Sequence, residues 1–303
     1  MISAIQEAWG YLANDLFLDG FLALLVASMV LPPLGTVLAL RRMPFVTIAV
    51  PALAGAGVTF AFWLWPLIAS AALAGDPPPT AMQIGGALAI LTIGLVILAA
   101  RSGPEAGLET SSALLFLLAL AMSQLLLVES PYEEIAHQWG HPGRTLSMLE
   151  GGRNRVILAS IAALTIFVIF RRELWLTALD REFGQLAGLA PKRWLFATLV
   201  WIGAACAFLV PELGPEVVLS LLLIPGTLIR PVATTLGMHS ILSGAIGAAS
   251  VIVAFVLSTS MNWPVEPTIT VVLIGLAWSV RQGGRWIFPS ATSKQSPLPA
   301  ERP

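Results

Sequence analysis

The chain is 303 residues long, 57% hydrophobic and only 11% charged, and its 16 Lys and Arg against 17 Asp and Glu leave a net charge of −1. With a mean hydropathy of +0.85, this composition excludes an ordinary soluble globular domain and assigns the chain to a lipid bilayer. The near balance of charge, with no Lys/Arg run, excludes a nucleic-acid-tracking surface, and the single cysteine, Cys206, excludes a disulfide framework or a cysteine metal cluster within one chain.

Taken in order, the N-terminal residues carry no Lys or Arg ahead of the first apolar run and no convincing small-residue cleavage site. No removable signal peptide is therefore expected, and the first run is expected to stay as a membrane helix. Nine apolar runs long enough or nearly long enough to cross hydrocarbon follow: Phe17–Leu40, Val46–Leu73, Ile84–Ala100, Ser111–Val128, Val156–Phe170, Trp194–Val210, Val217–Ile229, Ser240–Ser258 and Thr268–Val280. The seventh and ninth are short. Pro32, Pro33 and Pro51 predict kinks, because proline removes an amide donor from the helix ladder.

Lys and Arg are retained on the cytoplasmic side of short loops. With the N-terminus outside, the inner segments hold Arg41, Arg42, Arg101, Arg171, Arg172, Arg181, Lys192, Arg193, Arg230, Arg281, Arg285, Lys294 and Arg302, which leaves only Arg144, Arg153 and Arg155 outside. The expected fold is thus an all-α polytopic membrane protein with about nine transmembrane helices, N-terminus outside and C-terminus inside. Outer loops are expected at Gly75–Gln83, Glu129–Asn154, Pro211–Pro215 and Met261–Pro267. Trp63, Trp65, Trp201, Trp263 and Trp278 read mainly as interfacial anchors. The permease body is expected over 1–288, followed by a polar, proline-rich and disordered cytoplasmic tail over 289–303.

No G-x-x-x-x-G-K-[ST] loop, G-x-S-x-G elbow or H-E-x-x-H pair occurs, so no enzyme and no cofactor is expected in this chain. The middles of the nine runs hold essentially no ionisable residue, which weighs against a self-sufficient proton-coupled carrier and for energy supplied by a partner. A soluble island, Ala178–Trp194, interrupts the apolar pattern: Asp180 can cap a short helix, Leu179, Phe183 and Leu186 share a face, and Gly188 with Pro191 closes it. Local physics leaves two readings of this amphipathic helix, a connector resting on lipid headgroups or a docking element.

From Ala178 to Arg230 the chain resembles the membrane permease subunit of the ABC-type metal-ion importers for zinc, manganese or iron. That family carries a cytoplasmic D-x-E-F-A-x-x-x-G-L segment, and Asp180, Glu182, Phe183, Gly188 and Leu189 stand at its spacings, with Gly184 in place of the usual alanine. The family's G-x-L-L-V-x-x-L-L-x-I-P-A-A-x-x-R pattern is similar to the run Gly214, Val217, Val218, Leu221, Leu222, Ile224, Pro225, Gly226, Thr227 and Arg230. Pro33-Leu34-Gly35 and Arg41-Arg42-Met43 look like the family's first-span exit and first cytoplasmic loop.

The resemblance implies a multi-pass permease of the cell (inner) membrane, homodimeric or paired with a second permease. A cytoplasmic ABC ATPase would dock on Asp180–Leu189 as the coupling helix, with Leu186 on its apolar face, and an extracytoplasmic substrate-binding protein would deliver divalent metal. The family's second span usually carries an aspartate and, one turn later, a histidine facing the path; here Ile48, Ala49, Pro51 and Ala52 occupy those places, and none binds a cation. A permease for a chelated or organic substrate and a non-transporting structural half of a heterodimer are the alternatives. Other candidate ligands are Glu133, His137 and His141, with Glu134 beside them, in the Glu129–Asn154 segment, which reads more readily as a solvated loop. Candidate path-lining residues are Pro51, Ser220, Pro225 and Thr227, although helix packing uses such residues equally often. His239 reads as a headgroup-level polar cap.

Overall fold

A computed structural model describes residues 15–69, 77–100, 105–128, 130, 132 and 151–287. All regular structure among them is helical. The helices are α1 (Asp15–Leu40), α2 (Pro44–Ile68), α3 (Thr80–Ala100), α4 (Glu105–Val128), α5 (Gly152–Leu179), α6 (Arg181–Leu186), α7 (Pro191–Leu213), α8 (Pro215–Leu228), α9 (Leu236–Met261) and α10 (Val265–Ile287). Each of the nine apolar runs coincides with one of these helices, and α6 is the short helix expected in the island.

Seven of them, α1 to α5, α7 and α9, are long and apolar enough to cross a membrane. The 14-residue α8 rises only about 21 Å at 1.5 Å per residue, short of the roughly 30 Å of hydrocarbon. α10 has 23 residues and reaches beyond the Thr268–Val280 run at both ends, so Val265, Glu266 and Pro267 are helix rather than loop. The expected Pro211–Pro215 loop also contracts. Pro211 lies inside α7, and Gly214 alone, at φ +79°, separates α7 from α8, whose first residue is Pro215.

Two helices form the interior. In the spanning windows of α1 and α2, 72% and 83% of residues are buried, against 33% for α3 and 22% for α4 and α5. α2 packs on α3, α4, α7 and α8, while α1 packs on α5, α8 and α9; α10 closes over α8 and α9. The outer helices turn Leu114, Leu117, Leu118 and Leu125 of α4 and Leu158, Ile161, Val168 and Ile169 of α5 outward, a largely apolar surface that suits lipid.

Since lipid tails are as apolar as leucine, helix association inside a bilayer depends on close backbone approach at small residues. A methyl group on Gly57 of α2 would lie 2.3 Å from the Gly86 carbonyl oxygen of α3, and one on Gly35 of α1 would overlap the Leu222 carbonyl of α8. The contact of α1 with α9 has a further cause. Pro32 and Pro33 have no N–H, so the carbonyls four residues earlier, Ser28 and Met29, lose their helical partners. Those same two oxygens face Gly247 and Gly244 of α9, where a Cβ would come within 2.2 and 2.8 Å of them. Backbone Cα–H groups thereby take the place of the missing donors.

Candidate functional site

The end of the molecule that carries α6 gathers the stretches on which the resemblance rests. α5 runs 28 residues without a break through Arg171 and Arg172 to Leu179, then stops at Asp180, which is extended at φ −141° and ψ 112°. Asp180 Oδ1 accepts from the Glu182 and Phe183 amides at 2.9 and 3.0 Å, satisfying two of the donors that open α6. At the other end Gly188 adopts φ +79°; its amide donates to the Gln185 carbonyl at 2.9 Å and the Leu189 amide to the Gly184 carbonyl at 3.0 Å. That is a Schellman closure, in which glycine supplies the left-handed residue and the next residue covers the last turn. The D-x-E-F-x-x-x-x-G-L spacing is therefore a cap, one and a half turns of helix, and a stop.

α6 is held on one side and open on the other. Gly184 is buried, with the space for its missing Cβ bounded by Thr177 at 3.5 Å and Pro191 at 3.9 Å, ordinary contact distances that admit the family's alanine. Phe183 is 56% and Leu186 87% exposed, and Leu179 is also exposed, although it ends α5 rather than entering α6. Exposed Arg171, Arg172, Lys192 and Arg193 lie in the flanking segments. An uncovered phenylalanine–leucine pair on a doubly capped helix has the form of a docking knob.

Beneath it, Arg41 Nη2 donates to Thr177 Oγ1 at 2.8 Å, and Thr177 Oγ1 donates to the Glu173 carbonyl at 2.8 Å. Arg41 and Arg42 form the turn from α1 to α2, with Arg42 at φ +56°. The Arg42 amide donates to Ala39 at 3.1 Å and the Met43 amide to Leu38 at 3.2 Å, the same closure that ends α6 but with arginine in the glycine position. Arg230 Nη1, just past α8, reaches the Ala39 carbonyl at 3.5 Å. Hydrogen bonds thus join the α1–α2 turn and the end of α1 to the last turns of α5 and to the end of α8. Sequence reasoning missed Thr177, since nothing local marks a threonine whose partner lies 136 residues away.

The path candidates are dispersed. Pro51 is buried in α2 and Pro225 in α8. Ser220 Oγ and Thr270 Oγ1 share a hydrogen bond of 2.8 Å that joins α8 to α10, and Thr227 Oγ1 bonds back to the Leu223 carbonyl of its own helix at 2.8 Å. His239 is buried, and its Nε2 meets the Gly226 carbonyl at 3.1 Å, so it caps the last turn of α8. Ala49, Pro51 and Ala52 are buried and Ile48 half-buried, an apolar wall without a ligand atom. Among the described residues no group of three or more His, Cys, Asp or Glu side chains is placed to hold a metal ion. Glu133, His137 and His141 lie outside the described residues, as does the 289–303 tail.

At the opposite end, Arg155 of α5 pairs with Glu212 of α7 at 2.7 Å, and Arg153 with Asp19 of α1 at 2.6 Å. Glu212 is nearly enclosed, with 7% of its side chain exposed, so this pair carries charge into the bundle that the apolar runs did not reveal.

The fold has solved counterparts. PsaBC from Streptococcus pneumoniae in complex with Fab superposes with a TM-score of 0.76 over 91% of this chain and 95% of that one, at 16% identity. A structure described as an inward-facing conformation of a metal-chelate type ABC transporter superposes with a TM-score of 0.64 over 90% and 93%, at 18% identity. At these identities the likeness is one of fold. No curated protein sequence matches the chain. The sequence pattern of the ABC 3 transport family matches residues 13–280, nearly the whole length, and the chain belongs to that family.

Proposed function

We propose that this permease is the membrane subunit of an ATP-driven importer for divalent metal ions such as zinc, manganese or iron. In this reading it spans the inner membrane nine times, with the N-terminus outside and the α6 end in the cytoplasm. It works as a homodimer or beside a second permease, and a separate cytoplasmic ATPase hydrolyses the ATP. α6 enters a cleft on that ATPase, and an extracytoplasmic binding protein delivers cargo at the other end. The observation that carries the reading is the exposed Phe183–Leu186 pair on a helix capped at both ends: an isolated six-residue helix has no stability of its own, and its two large apolar side chains find no cover among the described residues.

A second reading, cargo that arrives chelated, is favoured by the apolar wall of Ile48, Ala49, Pro51 and Ala52, which offers a bare cation nothing. The test compares manganese, iron, zinc and cobalt content by elemental analysis in metal-limited cells carrying the intact gene, a deletion or Phe183→Asp. A selective fall of one metal in both defective strains is expected. Normal metal content in both would overturn metal as cargo, and a normal content in Phe183→Asp alone would overturn the coupling role.

A further inference from the structure

At the end opposite α6, a cavity of about 380 Å³ opens between α2, α4, α8 and α10. Its polar lining comes from four helices: Thr59 of α2, Ser123 and Gln124 of α4, Glu216 of α8 and Glu266 of α10. Ala52, one of the four residues that stand where the family carries its ligands, is also part of the lining, so that stretch of α2 borders this space.

The hydrogen bonds fix what the lining offers. Thr59 Oγ1 donates its proton to the Ala56 carbonyl at 2.9 Å, and Ser123 Oγ donates to the Ala119 carbonyl at 2.8 Å. Both hydroxyl oxygens are left as acceptors. With the carboxylates of Glu216 and Glu266 and the amide oxygen of Gln124, four helices each bring an acceptor to a lining that is otherwise mostly apolar, from Phe116, Leu120, Leu127, Leu213 and Leu219, and none of its lining residues is Lys or Arg. Gln124 is exposed on a helix whose other exposed side chains include Leu117, Leu118 and Leu125. An amide among them is costly against hydrocarbon and favourable against a polar occupant.

Size and donor set define that occupant. The volume equals that of about a dozen water molecules at about 30 Å³ each. A naked divalent ion needs ligand atoms that converge on one point, and no group of three or more His, Cys, Asp or Glu side chains does so among the described residues. Acceptors spaced around such a volume instead suit the N–H or O–H groups that surround a cation. We propose that this cavity is an outer-sphere binding site for a cation enclosed in its own ligand shell, an aquo ion or a positively charged chelate. The proposal rests on the importer reading for its biological role, but its chemistry is tested separately.

The probe is hexaamminecobalt(III), an inert cation that keeps its ammine N–H donors. Binding is measured by equilibrium dialysis on the permease with its ATPase in lipid nanodiscs. Saturable binding to the wild type is expected, weakened about tenfold or more in Glu216→Gln and in Gln124→Leu but within about twofold of wild type in Asp19→Asn, which removes the same charge at the same end away from the cavity. Glu216 and Gln124 are both exposed, so their replacement leaves the fold standing. No saturable binding, or equal weakening in Glu216→Gln and Asp19→Asn, would overturn the proposal. Displacement of the probe by Mn²⁺ alone supports the site with the aquo ion as occupant, and displacement only by chelated metal supports it with the chelate. Displacement by neither overturns it. Failure of the importer reading has a different signature, the absence of any ATPase that co-purifies with the wild type.

Discussion

Arg41 and Thr177 meet at 2.8 Å beneath α6, joining the turn after the first helix to the last turns of the fifth. Thr177 also forms the floor under Gly184. The contact is thus one link between α6 and the α1–α2 turn, beside the wider packing of α1 on α5. Replacing Thr177 with valine keeps the shape and removes the acceptor. The expected result is normal membrane insertion and ATPase association with metal uptake reduced about tenfold, as befits a partly buried hydrogen bond to a charged donor. Uptake at the wild-type level would show that the contact transmits nothing.

Leu186 tests the proposed docking face with the least risk to the fold, because at 87% exposure it is barely covered by the described residues. Leu186→Asp is expected to abolish co-purification with the ATPase and leave thermal unfolding in detergent unchanged. Retained association would remove α6 from the ATPase interface.

Gly184 is the one departure from the family's coupling motif, and the space beside it admits a methyl group at ordinary contact distance. It occupies the third position from the end of α6, where the closure sets its apolar contact with the residue after the glycine, here Leu189. Gly184→Ala is therefore expected to stabilise α6 by about 0.5–1 kcal/mol, read as slower amide hydrogen exchange at Ala187 and Leu189. Faster exchange would mean that the local geometry is misread.

Gly247 and Gly237 lie on the same helix with opposite surroundings. A Cβ at Gly247 would fall 2.2 Å from the Ser28 carbonyl oxygen, whereas nothing lies within 4 Å of one at Gly237. Gly247→Ala is expected to lower stability by about 1–3 kcal/mol, since backbone must shift to admit the methyl. Gly237→Ala is expected to be neutral or slightly stabilising. Comparing the two unfolding temperatures in detergent checks both, and equal temperatures would contradict the close α1–α9 approach.

Helix positions were legible from the sequence because the apolar runs are long and few other structures satisfy their backbone in lipid. The form of α6 was legible for another reason: its cap, its stop and its exposed pair are all local, set by Asp180, Gly188, Phe183 and Leu186 within ten residues. What escaped was long-range. The Arg41–Thr177 contact, the Arg155–Glu212 pair and the cavity lining each join residues far apart in the chain, and periodicity carries no sign of which partners meet. Loop lengths were also overread near proline, since Pro211, Pro215 and Pro267 lie within helices or open them.

The carbonyls bared by Pro32 and Pro33 have a mechanical consequence. At Gly244 and Gly247 no side chain of α9 stands between the two backbones to act as a bearing, and sliding one helix past the other there would drive Cα atoms into oxygens. Elsewhere the seam runs through side chains, the Phe21–Phe255 ring contact at 4.9 Å and the Thr36–Ser240 hydroxyl contact at 3.5 Å. The two glycines thus work as a pawl: they fix the register of α1 against α9, while the rings and hydroxyls on either side only fill the seam.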